Sequence, residues 1–147
     1  MPELPEVETI ARGLALRYPG RTMAGAKVKH ADVLVAPLAP AALARRVKDR
    51  RVEEIGRYGK NVLIRLDGDV RLLANMGMTG RLVAADAPGA AALRHVAVRF
   101  TFRDAPDMLF DDMRRFGRIE LHDAASWAER SASSRRSRST MPRRPAS

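Results

Sequence analysis

The sequence predicts a mainly β chain with flanking helices, built as a two-layer antiparallel β-sandwich behind an N-terminal helix. Three observations carry this. From Arg51 onward, short segments alternate apolar and polar residues with period two. Asp67-Gly68 sits between two such segments, as a hairpin turn does. Residues 3–18 instead place Val7, Ile10, Ala11, Leu14 and Tyr18 three or four apart, one stripe of an amphipathic helix. The strand pattern by itself also allows a barrel.

In chain order, Tyr18-Pro19-Gly20 ends the first helix, and residues 25–35 read as extended. Pro37 and Pro40 lead into a short helix with Leu43, Ala44 and Val47 on one side. Asn61 to Leu66 and Asp69 to Ala74 form the two arms of the hairpin. Ala84 to Ala92, rich in Ala with Pro and Gly, reads as a loop. In His95 to Arg103, Val96, Val98, Phe100 and Phe102 face one way and Ala97, Arg99, Thr101 and Arg103 the other. Met108 to Phe110 and Arg118 to Leu121 supply two further strands. Residues 1–130 form the expected domain. Residues 131–147, SASSRRSRSTMPRRPAS, are almost without apolar residues and are expected to be disordered, either as a basic arm or as a non-native end.

Bulk properties narrow the function classes. The 147 residues suffice for one domain with a core. No stretch of eighteen apolar residues exists, and the acidic N-terminus is not that of a signal peptide. The absence of cysteine excludes disulfides and thiolate zinc sites and fits a reducing compartment. His30, His95 and His122 have no metal-ligand spacing, so no metal site is expected. The net charge of +10 points to a polyanion such as nucleic acid. Five of the 27 basic residues, and no acid, fall in residues 131–147, so the rest carries 22 basic and 17 acidic residues, net +5.

The opening MPELPEVETIARGL has two readings. Pro near a helix start and acids in its first turn are ordinary helix chemistry. Pro5, however, cannot donate to the carbonyl of residue 1, and that acceptor disappears if Met1 is removed. Pro2 would then carry a free secondary amine, less basic than a lysine and further acidified by the positive helix end. A neutral amine attacks an aldehyde-like carbon and forms a Schiff base. Glu3 could shuttle protons beside it, and Glu6, one turn on, could orient groups.

MPELPEVET resembles the start of the formamidopyrimidine-DNA glycosylase family of bacterial base-excision repair enzymes. Three further segments match in order. RYGKNVLIRL (57–66) resembles the family strand bearing an active-site lysine, which falls on Lys60. NMGMTGRL (75–82) resembles the loop with a wedge methionine, Met78, and DMRRFGRIEL (112–121) the Arg-Arg-Phe-Gly segment that completes the wedge with Arg114 and Phe116. The resemblance implies a DNA glycosylase that flips out an oxidised purine such as 8-oxoguanine or a formamidopyrimidine. It also implies AP lyase activity: Pro2 attacks the sugar C1′, an iminium forms, and β- and δ-elimination follow. Glu3 is then the proton shuttle, and Lys60 and Arg115 contact phosphates. Met78 and Phe116 fill the vacated stack, and Arg114 pairs with the widowed base. Without the family, Met78 and Phe116 could equally be core residues, and Lys60, Arg114 and Arg115 surface charges.

Two positions depart from the family pattern. Asn75 stands where a phosphate-contacting His is usual, and Met113 where Pro is usual. The family's helix–two-turn–helix module and four-cysteine zinc finger have no counterpart here, so no cofactor is expected and the chain reads as a truncated catalytic domain, weak or inactive alone. The expected partner is double-stranded damaged DNA, bound by a monomer in the bacterial cytoplasm at the nucleoid. The other readings are an endonuclease VIII-like glycosylase for oxidised pyrimidines, a non-catalytic damaged-DNA-binding remnant, and a product that never folds.

Overall fold

A computed structural model describes residues 4–139, and the side chains of residues 6–133. Two four-stranded antiparallel sheets face each other. The first contains β1 (Met23–Val28), β6 (Val96–Phe102), β7 (Met108–Asp112) and β5 (Gly80–Ala84), in the order β1-β6-β7-β5. The second contains β2 (Val52–Tyr58), β3 (Asn61–Leu66), β4 (Val70–Asn75) and β8 (Arg118–His122), in that order. The expected mainly β sandwich with flanking helices is what forms.

Helix α1 (Leu4–Ala15) lies across β2 and β3 of one sheet and β5 of the other. Its stripe of Val7, Ala11 and Leu14 is buried in the core that the two sheets share. Removing such side chains from water supplies the main drive to dock the helix. Tyr18 follows, wholly buried: its hydroxyl donates to Pro106 O at 2.8 Å and its ring meets Phe102 at 4.8 Å. Burial pushes its phenol up to about 12. Helix α2 (Pro40–Val47) starts on Pro40, buries Leu43 and Val47, and packs on β1.

The hairpin of β3 and β4 turns through Asp67, Gly68 and Asp69, with Gly68 and Asp69 both at positive φ. The β2–β3 turn takes only Gly59 and Lys60, with Gly59 at φ +63.

Four elements differ from the sequence expectation. Residues 25–35, read as extended, are strand only as far as Val28 and form a 3-10 turn at Ala31–Val33. Strand β5 begins inside the segment 75–82 that resembles a loop and ends at Ala84, where the expected Ala-rich loop starts, with Gly80, Leu82 and Ala84 on its buried side. Ala97, expected to face outward, is fully buried, because the β6–β7 register shifts between Val96 and Val98 and places neighbours Ala97 and Val98 inside together. A third helix, α3 (Ala124–Ser139), runs across the expected boundary at residue 130. Asp123 and Ser126 open it reciprocally: Ser126 N donates to Asp123 Oδ1 at 2.8 Å, and Asp123 N to Ser126 Oγ at 3.1 Å. The remainder of the Ser/Arg segment, residues 140–147, lies outside the described residues. No described helix is long and apolar enough to cross a membrane.

Candidate nucleic-acid interface and catalytic end

The end of the second sheet gathers most of the residues singled out from the sequence. Asn61, Asn75 and Arg118 are register neighbours across β3, β4 and β8. Lys60 precedes this row by one residue, the loop 76–79 leaves from Asn75, and the segment 113–117 arrives at Arg118. Strand pairing therefore places Lys60, Met78 and the Arg114–Phe116 stretch at one rim.

The two loops are joined by a buried carboxylate. Thr79 Oγ1 donates to Asp112 Oδ1 at 2.6 Å, and Gly117 N donates to Asp112 Oδ2 at 2.7 Å. Arg114 N donates in turn to Thr79 Oγ1 at 3.2 Å. Glycine lets the backbones touch: a Cβ on Gly77 would lie 2.6 Å from Gly117 N, and one on Gly117 2.6 Å from Asn75 O. Gly77 also sits at φ +59, and Asn75 Oδ1 accepts its N–H at 2.8 Å. Gly80 N closes the first loop onto Met76 O at 2.7 Å.

This framework sorts the apolar side chains. Met76 is buried, whereas Met78 is 50% exposed, Phe116 54% and Met113 56%. Apolar side chains held outward on a fixed support are unfavourable in water unless they meet something. Arg115 has φ +55, a left-handed backbone that a non-glycine residue adopts at a cost. Its Nε donates to Asp32 Oδ2 at 2.9 Å, which ties the loop to the turn Ala31–Val33. The Arg114 and Lys60 side chains are exposed. The Asn75 oxygen is spent on Gly77, which leaves its NH2 as the free donor.

Helix α1 is tied to the same rim. Glu8 accepts from Arg57 Nε at 3.0 Å and from Arg12 Nη2 at 3.1 Å. Arg57 Nη1 donates to Gly59 O at 2.9 Å, next to Lys60. The Arg57 and Arg12 guanidiniums hold the Glu8 carboxyl below its ordinary value of 4.5. Glu6 is exposed on the first turn. Pro2 and Glu3 lie outside the described residues.

A family model described as "Formamidopyrimidine-DNA glycosylase N-terminal domain" matches residues 1–119. The chain belongs to the formamidopyrimidine-DNA glycosylase family. The family enzyme of Chloroflexus aggregans is 42% identical over 125 residues, covering 84% of this chain and 44% of the relative. That of Acidothermus cellulolyticus is 42% identical over 123 residues, covering 82% and 43%. This chain thus spans a little under half the length of these family members. Among solved structures, Lactococcus lactis Fpg in complex with abasic-site DNA superposes with a TM-score of 0.76 at 25% identity, over 90% of this chain and 47% of that one. The same enzyme with DNA containing FAPY-dG gives 0.75 at 26% identity, over 89% and 48%. With no cysteine, and no cluster of three metal-binding side chains among the described residues, this portion of a family fold does not fit a thiolate zinc site.

Sequence reasoning assigned no role to Asp112, Thr79 or Asp32. The only signal for Asp112 is its place immediately before the Met-Arg-Arg-Phe-Gly run, where an acid beside two arginines reads as a surface ion pair. Its burial and its two loop partners are tertiary facts.

Proposed function

We propose that this chain is the catalytic portion of a base-excision repair DNA glycosylase that removes oxidised purines and cleaves the resulting abasic site. The observation that carries the reading is the rim itself. Met78 and Phe116 stand exposed on two loops locked by Asp112, beside the Lys60 turn and the helix that follows Pro2. The Lactococcus enzyme is in complex with DNA containing an abasic site or FAPY-dG, and a damaged duplex is the partner that fits an apolar wedge set among cations.

In this reading the target nucleotide leaves the stack at a cost of a few kcal/mol, and Met78 and Phe116 occupy its place. Arg114 hydrogen-bonds the widowed base. Lys60, Arg115 and the Asn75 NH2 meet phosphates, with Arg115 exchanging or sharing its Asp32 contact. Pro2 nitrogen attacks C1′ as the bond from C1′ to the base breaks, and the base departs with a proton. The amine's own proton then leaves, and the C1′–O4′ bond breaks as the nitrogen lone pair makes the C1′=N bond, so the sugar ring opens and O4′ takes up a proton as the iminium forms. Glu3 carries protons between these positions, and Glu6 orients the site. Loss of a C2′ proton then expels the 3′ phosphate, and a second elimination expels the 5′ phosphate.

Borohydride trapping on an abasic-site duplex at low salt tests this. Reduction of the iminium should leave a covalent protein–DNA adduct that peptide mass spectrometry maps to Pro2, once Met1 is shown to be removed, and that vanishes when the N-terminal amine is selectively acetylated. Duplex binding that persists unchanged in Pro2→Gly with no adduct in the parent chain would mean a non-catalytic binder. A panel with one oxidised purine and one oxidised pyrimidine separates this reading from an endonuclease VIII-like preference.

A further inference from the structure

We infer that a basic rim running from the Met78 and Met113 loops to the β1 edge, built from Arg81, Arg94, Lys29 and Lys27, is a track for the sugar-phosphate backbone of duplex DNA flanking the lesion. The inference rests on the DNA-binding reading above and extends it to surface with no assigned role.

The strand register puts these residues at one end of the first sheet. Lys29 N and His30 N both donate to Ala97 O, at 2.8 and 3.2 Å. Val96 faces Asp111 across β6 and β7, and Asp111 faces Arg81 across β7 and β5. Gly80, one residue from Arg81, faces Asp112, which holds the wedge loops. The rim is therefore continuous with the wedge.

Its shape is concave. One depression of about 490 Å³ runs between Thr79, Arg81, His95 and Met113. A second of about 320 Å³ runs between Lys27, Lys29 and Arg99. They share Leu93 and Arg94, so the two adjoin along the rim.

Its exposed charge is mainly basic: Asp111 lines the first depression but is buried, and the exposed Asp32 beyond Lys29 is paired with Arg115. The carboxylates at this end turn inward: Asp111 is buried and accepts His95 N–H at 2.9 Å, and Asp112 is buried in the loop clasp. Arg99 is balanced by Asp107 at 2.7 Å. The side chains of Lys27, Lys29, Arg81 and Arg94 make no ion pair or hydrogen bond with any described residue. Uncompensated cations lining a concave path call for a polyanion of extended, regular charge, and a duplex carries about one negative charge per 1.7 Å of axis.

The test is fluorescence anisotropy of the chain with duplexes bearing a tetrahydrofuran abasic analogue, between 50 and 200 mM salt. The parent chain is compared with the triple variant K27S/K29S/R94S and with Met78→Ala, and the duplex is lengthened on one side of the lesion and then the other. All three substituted rim residues are exposed, so circular dichroism should be unchanged. The parent should gain affinity from lengthening on one side only. The triple variant should lose that gain, bind lesion and undamaged duplex more weakly by the same factor, and show a log–log salt slope shallower by about 0.9 per contact removed. Met78→Ala should instead lose the preference for the lesion and keep the slope. A triple variant with the parent's slope and length dependence overturns the track while leaving the wedge reading intact. A parent chain that binds no duplex, or that polyglutamate displaces from it at equal charge, overturns both.

Discussion

A carboxylate buried against two loops does more for the site than any of the exposed cations around it. Asp112 is 1% exposed and spends both oxygens, one on the Thr79 hydroxyl and one on the Gly117 N–H. Hydrogen bonds to an ionised group are stronger than neutral ones, and removing their acceptor leaves buried donors unpaired. Asp112→Ala should therefore cost about 2–4 kcal/mol of stability, read by urea unfolding, and should weaken duplex binding because Met78 and Phe116 lose their common support. At this scale the sequence was partly legible. Met78, Phe116 and Lys60 could be named because they lie in short ordered segments that resemble a known family. Asp112 could not, because an acid next to Arg114 and Arg115 looks like a solvated charge until strand pairing shows where it points. The Asp32 contact of Arg115 joins residues too far apart in sequence for any local pattern to pair them.

At the scale of elements, α3 is held by a small polar and aromatic cluster. Trp127 meets Tyr58 at 4.9 Å and His122 at 5.8 Å, with Arg71 5.8 Å over its ring. Glu120 accepts from Arg130 Nε at 3.0 Å and pairs with His122 Nε2 at 2.8 Å. Burial raises the Glu120 carboxyl, but the His122 and Arg130 contacts outweigh burial and leave it below its ordinary value of 4.5. A carboxylate lowered in the folded state contributes stability above its unfolded value and loses it as pH falls through that value and below. Emission from Trp127, the chain's one tryptophan, should therefore shift to the red as pH falls below about 4.5, and Glu120→Gln should reduce the shift. This helix was hidden in the sequence because its composition is that of a disordered segment, with no apolar period to reveal it. The hairpin of β3 and β4 was plain for the opposite reason: strong alternation and an Asp-Gly turn agree at every position.

For the whole molecule, the distribution of apolar contacts sets the order of unfolding. One buried cluster joins both sheets and α1, running from Val7 to Ile119, and none of the described side chains of α3 belongs to it. Packed cores of this size unfold cooperatively, whereas an element outside the cluster opens at lower free energy. In a urea titration, Trp127 emission should change before the far-ultraviolet signal of the sheets, and coincident midpoints would show α3 to be part of the cooperative unit. The fold class was legible because period-two patterning reports burial directly. The site was legible only through resemblance, since nothing local announces that Lys60, Met78 and Phe116 share a rim.

The contact between the two loop backbones sets a rule for redesign. With Gly77 packed on Gly117, and Gly117 on the Asn75 carbonyl, neither loop has a shape of its own. Transplanting one loop from a relative would bring a surface moulded to an absent companion. A chimaera meant to alter lesion choice must move residues 75–80 and 112–117 together, as a single graft.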